Sequence, residues 1–128
     1  MDKDELEQHL KRGEQWGFVK PTDDDNYLGW ILLRKRRCTP VSPFDCNAEP
    51  ERYANWMEQS SDAQERPYHL LVIELRRDVH EAGDYESSED YRLRQNYYFS
   101  SLDEVDYEVQ RLGFSLRNAL PRSQLNAP

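Results

Sequence analysis

Residues 67–113 show in succession the patterns of a strand, an acidic loop, a second strand and a helix. Residues 68–75 are rich in branched and aromatic side chains, as buried strands are. Residues 90–100 alternate in character, which predicts a strand with two unlike faces. One predicted face carries Tyr91, Leu93, Gln95, Tyr97 and Phe99, and the other carries Arg92, Arg94, Asn96 and Tyr98.

A helix is predicted directly after this strand. Ser101 and Glu104 have the spacing of a capping box, in which the serine hydroxyl accepts from the Glu104 amide and the Glu104 side chain reaches back. Apolar residues then recur at steps of three and four, and Gly113 suits the left-handed position after a helix end. These apolar residues are Leu102, Val105, Val109 and Leu112.

Two further helices are predicted nearer the amino terminus. Leu6 and Leu10 lie four apart in the otherwise polar stretch 2–15, which is typical of a short amphipathic helix lying on a domain. Pro50 suits the first turn of a second helix, which is expected to end at about residue 59.

Two further strands are predicted in the first third of the chain. An apolar run over residues 16–19 is expected to pair, across an acidic turn at residues 23–26, with a strand over residues 27–34. The nearly continuous apolar character of the latter indicates a central position. The predicted fold class is therefore α+β, a small antiparallel sheet of three to five strands with two or three helices packed on it. Residues 1–117 are expected to form one domain, and residues 118–128 a flexible C-terminal tail.

The composition favours a folded domain with a highly charged surface. Of the 128 residues, 37% are hydrophobic and 33% are charged, and the apolar residues cluster in periodic runs. Acidic residues outnumber basic ones by 25 to 17, which gives a net charge of −8. This balance argues against direct nucleic-acid binding and favours a basic protein partner. The alternative, that the charge only keeps the protein soluble, stays open.

Neither a membrane span nor a secretion signal is expected. No run reaches the roughly 20 apolar residues of a transmembrane helix, and residues 1–7 lack the apolar region of a signal peptide. A cytoplasmic location is therefore predicted. There, Cys38 and Cys46 are expected to be ordinary thiols, although a disulfide between them is geometrically allowed. Neither a metal ion nor a cofactor is expected, because the three histidines are isolated from the cysteines.

Residues 34–37 are four successive cations, Arg-Lys-Arg-Arg, and such a run is a candidate contact for RNA or DNA. In a strand, however, alternate side chains point to opposite faces, so that the run forms no continuous patch. A solvated strand end is the favoured interpretation. Intramolecular pairing with some of the acidic residues is also open.

No catalytic motif is evident. Glu74 has apolar neighbours on both sides, and acid–base chemistry would require it to lie in an apolar pocket. A strand residue on an exposed face explains Glu74 equally well. His80 and Glu81 match part of the zinc-protease helix motif, but the second histidine is missing and Gly83 breaks the helix. We therefore expect a protein that is not an enzyme, and keep a small hydrolase that uses acidic residues as the third choice.

The acidic loop over residues 78–90 is the strongest candidate for a functional site. It contains six carboxylates and no Lys or Arg, and it exceeds the usual hairpin connection of about two to five residues. Clustered carboxylates repel one another, and a basic partner relieves that cost. Tyrosines supply large contact area. A solvated hairpin tip without a partner is the alternative. The predicted partner-binding residues are Asp78, Glu81, Asp84, Tyr85, Glu86, Glu89, Asp90 and Tyr91.

A small, acidic, cysteine-poor α+β chain of this kind resembles the immunity proteins of bacterial toxin systems, particularly those of contact-dependent growth inhibition. The resemblance is carried by the acidic loop 78–90 and by the strand-to-helix segment 97–105, continuing to residues 112–114. It covers about a third of the chain. It implies a cytosolic inhibitor that binds one cognate toxin domain, often a nuclease, and covers its active site.

The mechanism implied by this resemblance is occlusion, in which carboxylates steer the encounter with a basic cleft. The free protein is expected to be a monomer or a weak dimer. A small regulatory or adaptor module, binding a peptide along an exposed sheet edge, is the main alternative. Folding of residues 78–90 inward against the protein's own arginines, or a metal or substrate held in an internal cleft, would rule out this interpretation.

Overall fold

The computed structural model describes residues 2–36, 62–83 and 87–128. These residues form five strands, β1 (Trp16–Lys20), β2 (Tyr27–Lys35), β3 (Tyr68–Arg76), β4 (Tyr91–Phe99) and β5 (Leu120–Pro121). The strands lie in one sheet in the order β4-β3-β2-β1-β5, and all neighbours are antiparallel. The predicted α+β class, the central position of β2 and the hairpin of β1 with β2 are confirmed.

Helices flank the strands along the chain. The α-helices are α1 (Lys3–Lys11), α2 (Arg77–Ala82) and α3 (Leu102–Arg111), and residues 62–65 are also helical. Short 3-10 helices cover Ser88–Asp90, Leu116–Asn118 and Arg122–Gln124.

The first face of the sheet carries the main hydrophobic core. Leu6 and Leu10 of α1 and Val105 and Val109 of α3 are all buried against it. Full burial of such a side chain contributes roughly 1.5–3 kcal/mol, and this burial holds the two helices on the first face of the sheet. The sheet residues that define the first face are Trp16, Phe18, Ile31, Leu33, Tyr68, Leu70 and Val72.

The serine half of the capping box predicted for α3 is confirmed. The Glu104 amide donates to Ser101 Oγ at 3.3 Å, and Glu104 Oε2 accepts from the Ser100 amide at 3.0 Å. The glutamate thus reaches one residue further back than a standard box. Gly113 follows the helix with φ 93°, a left-handed conformation that favours glycine.

The second face of the sheet carries a smaller apolar cluster, which the C-terminal segment helps to cover. Leu125 is 2% exposed, and its carbonyl accepts from Trp30 Nε1 at 2.8 Å. This corrects the prediction that residues 118–128 form a loose tail, because one buried leucine and one buried indole attach the segment to the sheet. The buried residues of this cluster are Trp30, Leu32, Ile73, Leu75 and Leu125.

The first residues of β4 break the predicted alternation. The register with β3 shifts between Glu74 and Leu75, so that Leu75 pairs with Tyr91 and Glu74 pairs with Leu93. One extra residue in a strand reverses the faces of its neighbours. Tyr91 therefore packs on the second face and Leu93 on the first, and the prediction that they share a face is wrong.

Several predicted features lie outside the described residues. They are the two cysteines Cys38 and Cys46, the helix beginning at Pro50, and residues 84–86 of the acidic loop. Within the described ranges, none of the helices has the length and apolar character that crossing a bilayer requires. The same ranges contain no group of three or more acidic, histidine or cysteine side chains arranged to hold a metal ion.

Candidate functional site

Two acidic segments that are far apart in sequence meet at one end of the sheet. The register of β2 with β3 pairs Tyr27 with Arg76, so the turn before β2 and the chain after β3 emerge side by side. Arg77 joins them, since its amide donates to the Asn26 carbonyl and its Nε to the Asp25 carbonyl, each at 2.7 Å.

This region, which we call the acidic end, carries more carboxylates than cations. Its basic side chains include Arg76, Arg77 and Arg92. Only the members from α2 and the 3-10 helix were predicted as site residues, because the turn at 23–26 gave no sign that it lies beside them. The carboxylates of the acidic end are Asp23, Asp24, Asp25, Asp78, Glu81, Glu89 and Asp90.

The described part of the predicted acidic loop has regular local structure. α2 continues directly from β3, and Gly83 ends it with φ 69°. The Ser87 amide donates to Asp90 Oδ2 at 2.8 Å and so closes the following 3-10 turn. These residues are therefore ordered locally, and the alternative of a solvated tip without a partner stays open. Asp84, Tyr85 and Glu86 belong to the part that is not described.

The protein's own arginines contact several of the predicted site residues. Arg76 lies 2.7 Å from Asp78 and 3.6 Å from Asp90, and Arg77 lies 3.4 Å from Glu81. The hydrogen bond from Arg76 holds the pKa of Asp78 below its usual value. These contacts remove part of the charge repulsion from which a basic partner was predicted, and the argument from repulsion is correspondingly weaker.

Most of these carboxylates nevertheless lie at the surface. The side chains of Asp78 and Glu81 are 67% and 61% exposed, and that of Asp23 is 87% exposed, whereas that of Asp90 is 15% exposed. Exposed pairs such as those of Asp78 and Glu81 contribute little to stability. Their oxygens can therefore accept further hydrogen bonds from a partner at small cost.

A cleft of about 470 Å³ separates the acidic turn from α2. Asp24 lines one side, Asp78 and Glu81 line the other, and Tyr27 forms part of the wall. The guanidinium of Arg92 lies 4.6 Å from the centroid of the Tyr27 ring. Carboxylates around an aromatic ring suit a Lys or Arg side chain. Tyr27 was not predicted as a site residue, although its position directly after the acidic turn was the available signal.

Tyr91, in contrast, does not belong to the acidic end. It lies half-buried on the second face, and the Arg94 guanidinium lies 5.4 Å from its ring centroid. The β3–β4 bulge is the cause, because it turns Tyr91 away from the side on which Arg92 lies.

The described part of the cationic run, residues 34–36, is divided between the two faces, as predicted for a strand. Lys35 Nζ pairs with Glu7 of α1 at 2.8 Å, whereas Arg34 Nε donates to His69 Nδ1 at 2.9 Å on the other face. Arg36 pairs with Asp62 at 2.5 Å. Intramolecular partners therefore account for Lys35 and Arg36, and no continuous patch forms from residues 34–36.

Glu74 is buried, at 6% exposure, and the interpretation as an exposed strand residue is wrong. Arg92 Nη2 lies 2.6 Å from its Oε1, and Lys20 Nζ lies 3.4 Å away. The geometry of Glu74 is that of a structural ion pair.

Comparison of the chain with protein-family models, with curated protein sequences and with solved structures found no match in any of the three. The resemblance to immunity proteins therefore stays a prediction, and any functional proposal depends on the charges and geometry described above.

Proposed function

We propose that this protein is a cytoplasmic immunity protein that binds a cognate basic toxin domain, a nuclease, and covers its active site with the acidic end. The observation that carries the proposal is the convergence of the turn at 23–26 and α2 around one cleft. On a protein with net charge −8, this surface is complementary to a groove rich in Lys and Arg. Nuclease active sites present such grooves to phosphates.

The internal arginines support binding by a second route. Arg76 and Arg77 fix Asp78 and Glu81 in place before a partner arrives, and Arg77 also holds the turn through Asp25. Fewer side chains then lose freedom on association, which lowers the entropic cost of binding. Asp24, Asp78 and Glu81 line the cleft that would receive a cation, together with Tyr27 and with Arg76 and Arg77, whose charges they outnumber by three to two.

The test begins with the gene next to the one that encodes this chain. Its product should end in a basic domain that is toxic when expressed alone, and co-expression of this protein should restore growth. Purified partners are then compared by surface plasmon resonance at low and high salt. No restoration of growth and no complex would contradict the proposed function.

Two double variants locate the interface. Asp25→Lys with Glu81→Lys reverses charge at the acidic end, and Asp4→Lys with Glu65→Lys makes the same change in net charge among exposed acids elsewhere. The first is expected to lower the association rate about tenfold at low salt, since local charge steers encounter. Equal slowing by both variants would mean that net charge alone acts, and that the acidic end is not the interface.

A second candidate function, a peptide-binding adaptor, is favoured by the position of β4. In the described part of the sheet β4 has a single neighbour, β3, over nine residues. The free edge of a strand can pair with an added peptide strand. An adaptor of this kind would keep its partner in the Asp25→Lys, Glu81→Lys variant, whereas the proposed inhibitor would not.

A further inference from the structure

The second face of the sheet carries a basic pocket, whose charge is opposite to that of the acidic end. The cavity has a volume of about 160 Å³. Leu32, Leu71 and Ile73 form its apolar floor. Three arginines from different parts of the chain line it, namely Arg34 of β2, Arg94 of β4 and Arg122 of the C-terminal segment.

These three arginines differ from most of the others in having no Asp or Glu partner among residues 2–36, 62–83 and 87–128. Arg34, Arg94 and Arg122 occur in none of the ion pairs of that part of the chain. Three guanidinium groups converge here on a protein with net charge −8. Like charges brought together in this way cost free energy unless an anion accompanies them. The arginines that do pair with carboxylates are Arg36, Arg66, Arg76, Arg77, Arg92 and Arg111.

The protein positions two of the guanidiniums through neutral groups. Arg34 Nε donates to His69 Nδ1 at 2.9 Å, so this nitrogen is unprotonated and His69 Nε2 donates to Asn96 Oδ1 at 2.7 Å. Burial lowers the pKa of His69 and keeps the ring neutral. Arg122 Nη1 donates to Gln15 Oε1 at 2.8 Å.

After these contacts, guanidinium N–H donors of the three arginines remain available to a ligand. The terminal nitrogens of Arg34 have no acceptor within the described residues, and Arg94 contacts only the Tyr91 ring there. Arg122 Nη2 donates to the Pro128 carbonyl, which lines the pocket and shows that an oxygen acceptor fits against this guanidinium. Guanidinium groups bind phosphate and carboxylate through paired N–H donors.

We propose that this pocket binds a small organic phosphate, with the phosphate among Arg34, Arg94 and Arg122 and a compact apolar or aromatic group over Leu71 and Ile73. Three cations, two of them held by hydrogen bonds, match a dianion better than a monocarboxylate, and a phosphate monoester is close to dianionic at pH 7.5. The cavity is smaller than the roughly 300 Å³ at which sites for larger ligands begin, so the ligand is compact.

The experiment is titration calorimetry of the full chain with phenyl phosphate, which joins a phosphate to one aromatic ring. Benzoate and phenol serve as the monocarboxylate and neutral probes. We expect saturable binding of phenyl phosphate that weakens with salt, weaker binding of benzoate, and none of phenol. Benzoate binding as tight as that of phenyl phosphate would overturn the phosphate assignment, and absence of phenyl phosphate binding would overturn the site.

Arg94→Gln and the matched control Arg111→Gln locate the binding. Both arginines are exposed, and Arg111 pairs with Glu108 on α3. Arg94→Gln is expected to raise the dissociation constant for phenyl phosphate about tenfold or more, and Arg111→Gln to leave it unchanged. Circular dichroism verifies that both variants fold, and amide shifts at Gln15 and Leu71 on titration report occupancy directly. Equal dissociation constants in both variants would overturn the proposal.

This site is independent of the proposed inhibitor function. The Asp25→Lys, Glu81→Lys variant should bind phenyl phosphate at least as tightly as the wild type, because neither residue lines the pocket. Loss of phosphate binding in that variant would contradict a separate site.

Discussion

The guanidinium of Arg92 contacts both carboxylate oxygens of Glu74, at 2.6 and 2.9 Å, and Arg92 is the extra residue of the β-bulge. The same nitrogen lies 2.7 Å from Asp23, in the acidic turn. The hydrogen bonds that Arg92 donates, first to Glu74 and then to Asp23, raise the pKa of Arg92 above its usual value. The bulge therefore connects a buried charge in the sheet to the candidate site, and it explains why Arg92 lies on the acidic end.

The two sides of this pair should respond unequally to substitution. Arg92→Gln leaves a buried carboxylate with only Lys20 near it, whereas Glu74→Gln leaves a more exposed guanidinium beside Asp23 and Asp24. An unpaired buried charge costs more than an unpaired exposed one. We expect Arg92→Gln to lower the thermal midpoint by several degrees more than Glu74→Gln, measured by circular dichroism at pH 7.5.

The double variant supplies the control for this prediction. If the two residues stabilise each other, the double variant Arg92→Gln, Glu74→Gln loses less unfolding free energy than the two single variants lose in sum. Strict additivity would show that the contact contributes nothing to stability.

A second prediction concerns the pH dependence of stability. Burial lowers the pKa of His69 below the 6.5 of the unfolded chain. The unfolded state therefore binds a proton more readily, and the stability that neutral His69 provides is present above about pH 6.5 and is lost as pH falls through the folded pKa. Urea unfolding should show decreasing stability between about pH 6.5 and 5.

His69→Gln is the matched variant, because an amide can accept from Arg34 and donate to Asn96 without titrating. It should remove the loss of stability between about pH 6.5 and 5. Below about pH 4 both proteins should lose stability alike, since the lowered pKa values of Asp62 and Asp78 act there. An unchanged slope above pH 5 would show that His69 is not its source.

Local sequence signals predicted β1 to β4, the hairpin of β1 with β2, and helices α1 and α3, but not α2, β5 or the contacts between segments far apart in the chain. The capping box of α3, the alternation in β4 and the apolar run of β2 each depend on neighbouring residues and were visible. The bulge at Arg92 and the burial of Leu125 depend on partners far along the chain. For the same reason the acidic loop was predicted as a candidate site, whereas no local signal placed Tyr27 and the turn at 23–26 in the same site.

A third prediction concerns the cap of α3. Ser101→Ala removes the acceptor for the Glu104 amide and should cost about 1 kcal/mol, whereas Ser101→Gly should cost only a few tenths. Ser123→Ala, at an exposed position in a 3-10 helix, is the control and should be close to neutral. Equal unfolding free energies for all three variants in urea would contradict the role of the cap.

A fourth prediction concerns the C-terminal segment. Leu125→Ala should destabilise the protein by about 2 kcal/mol, the low end for a buried leucine, because a short terminal segment can partly close the cavity. Deletion of residues 119–128 should cost more, since it also removes β5 and the acceptor for Trp30 Nε1.

The NMR signal of the Trp30 indole N–H and phenyl phosphate binding separate anchoring from ligand contact. Leu125→Ala should shift this signal while the variant stays folded at 25 °C, and Arg122→Gln should leave the signal unchanged. Both should weaken phosphate binding, because Leu125 positions the segment that carries Arg122 into the pocket. If Leu125→Ala altered stability but not phosphate affinity, the segment would cover the sheet without shaping the basic pocket.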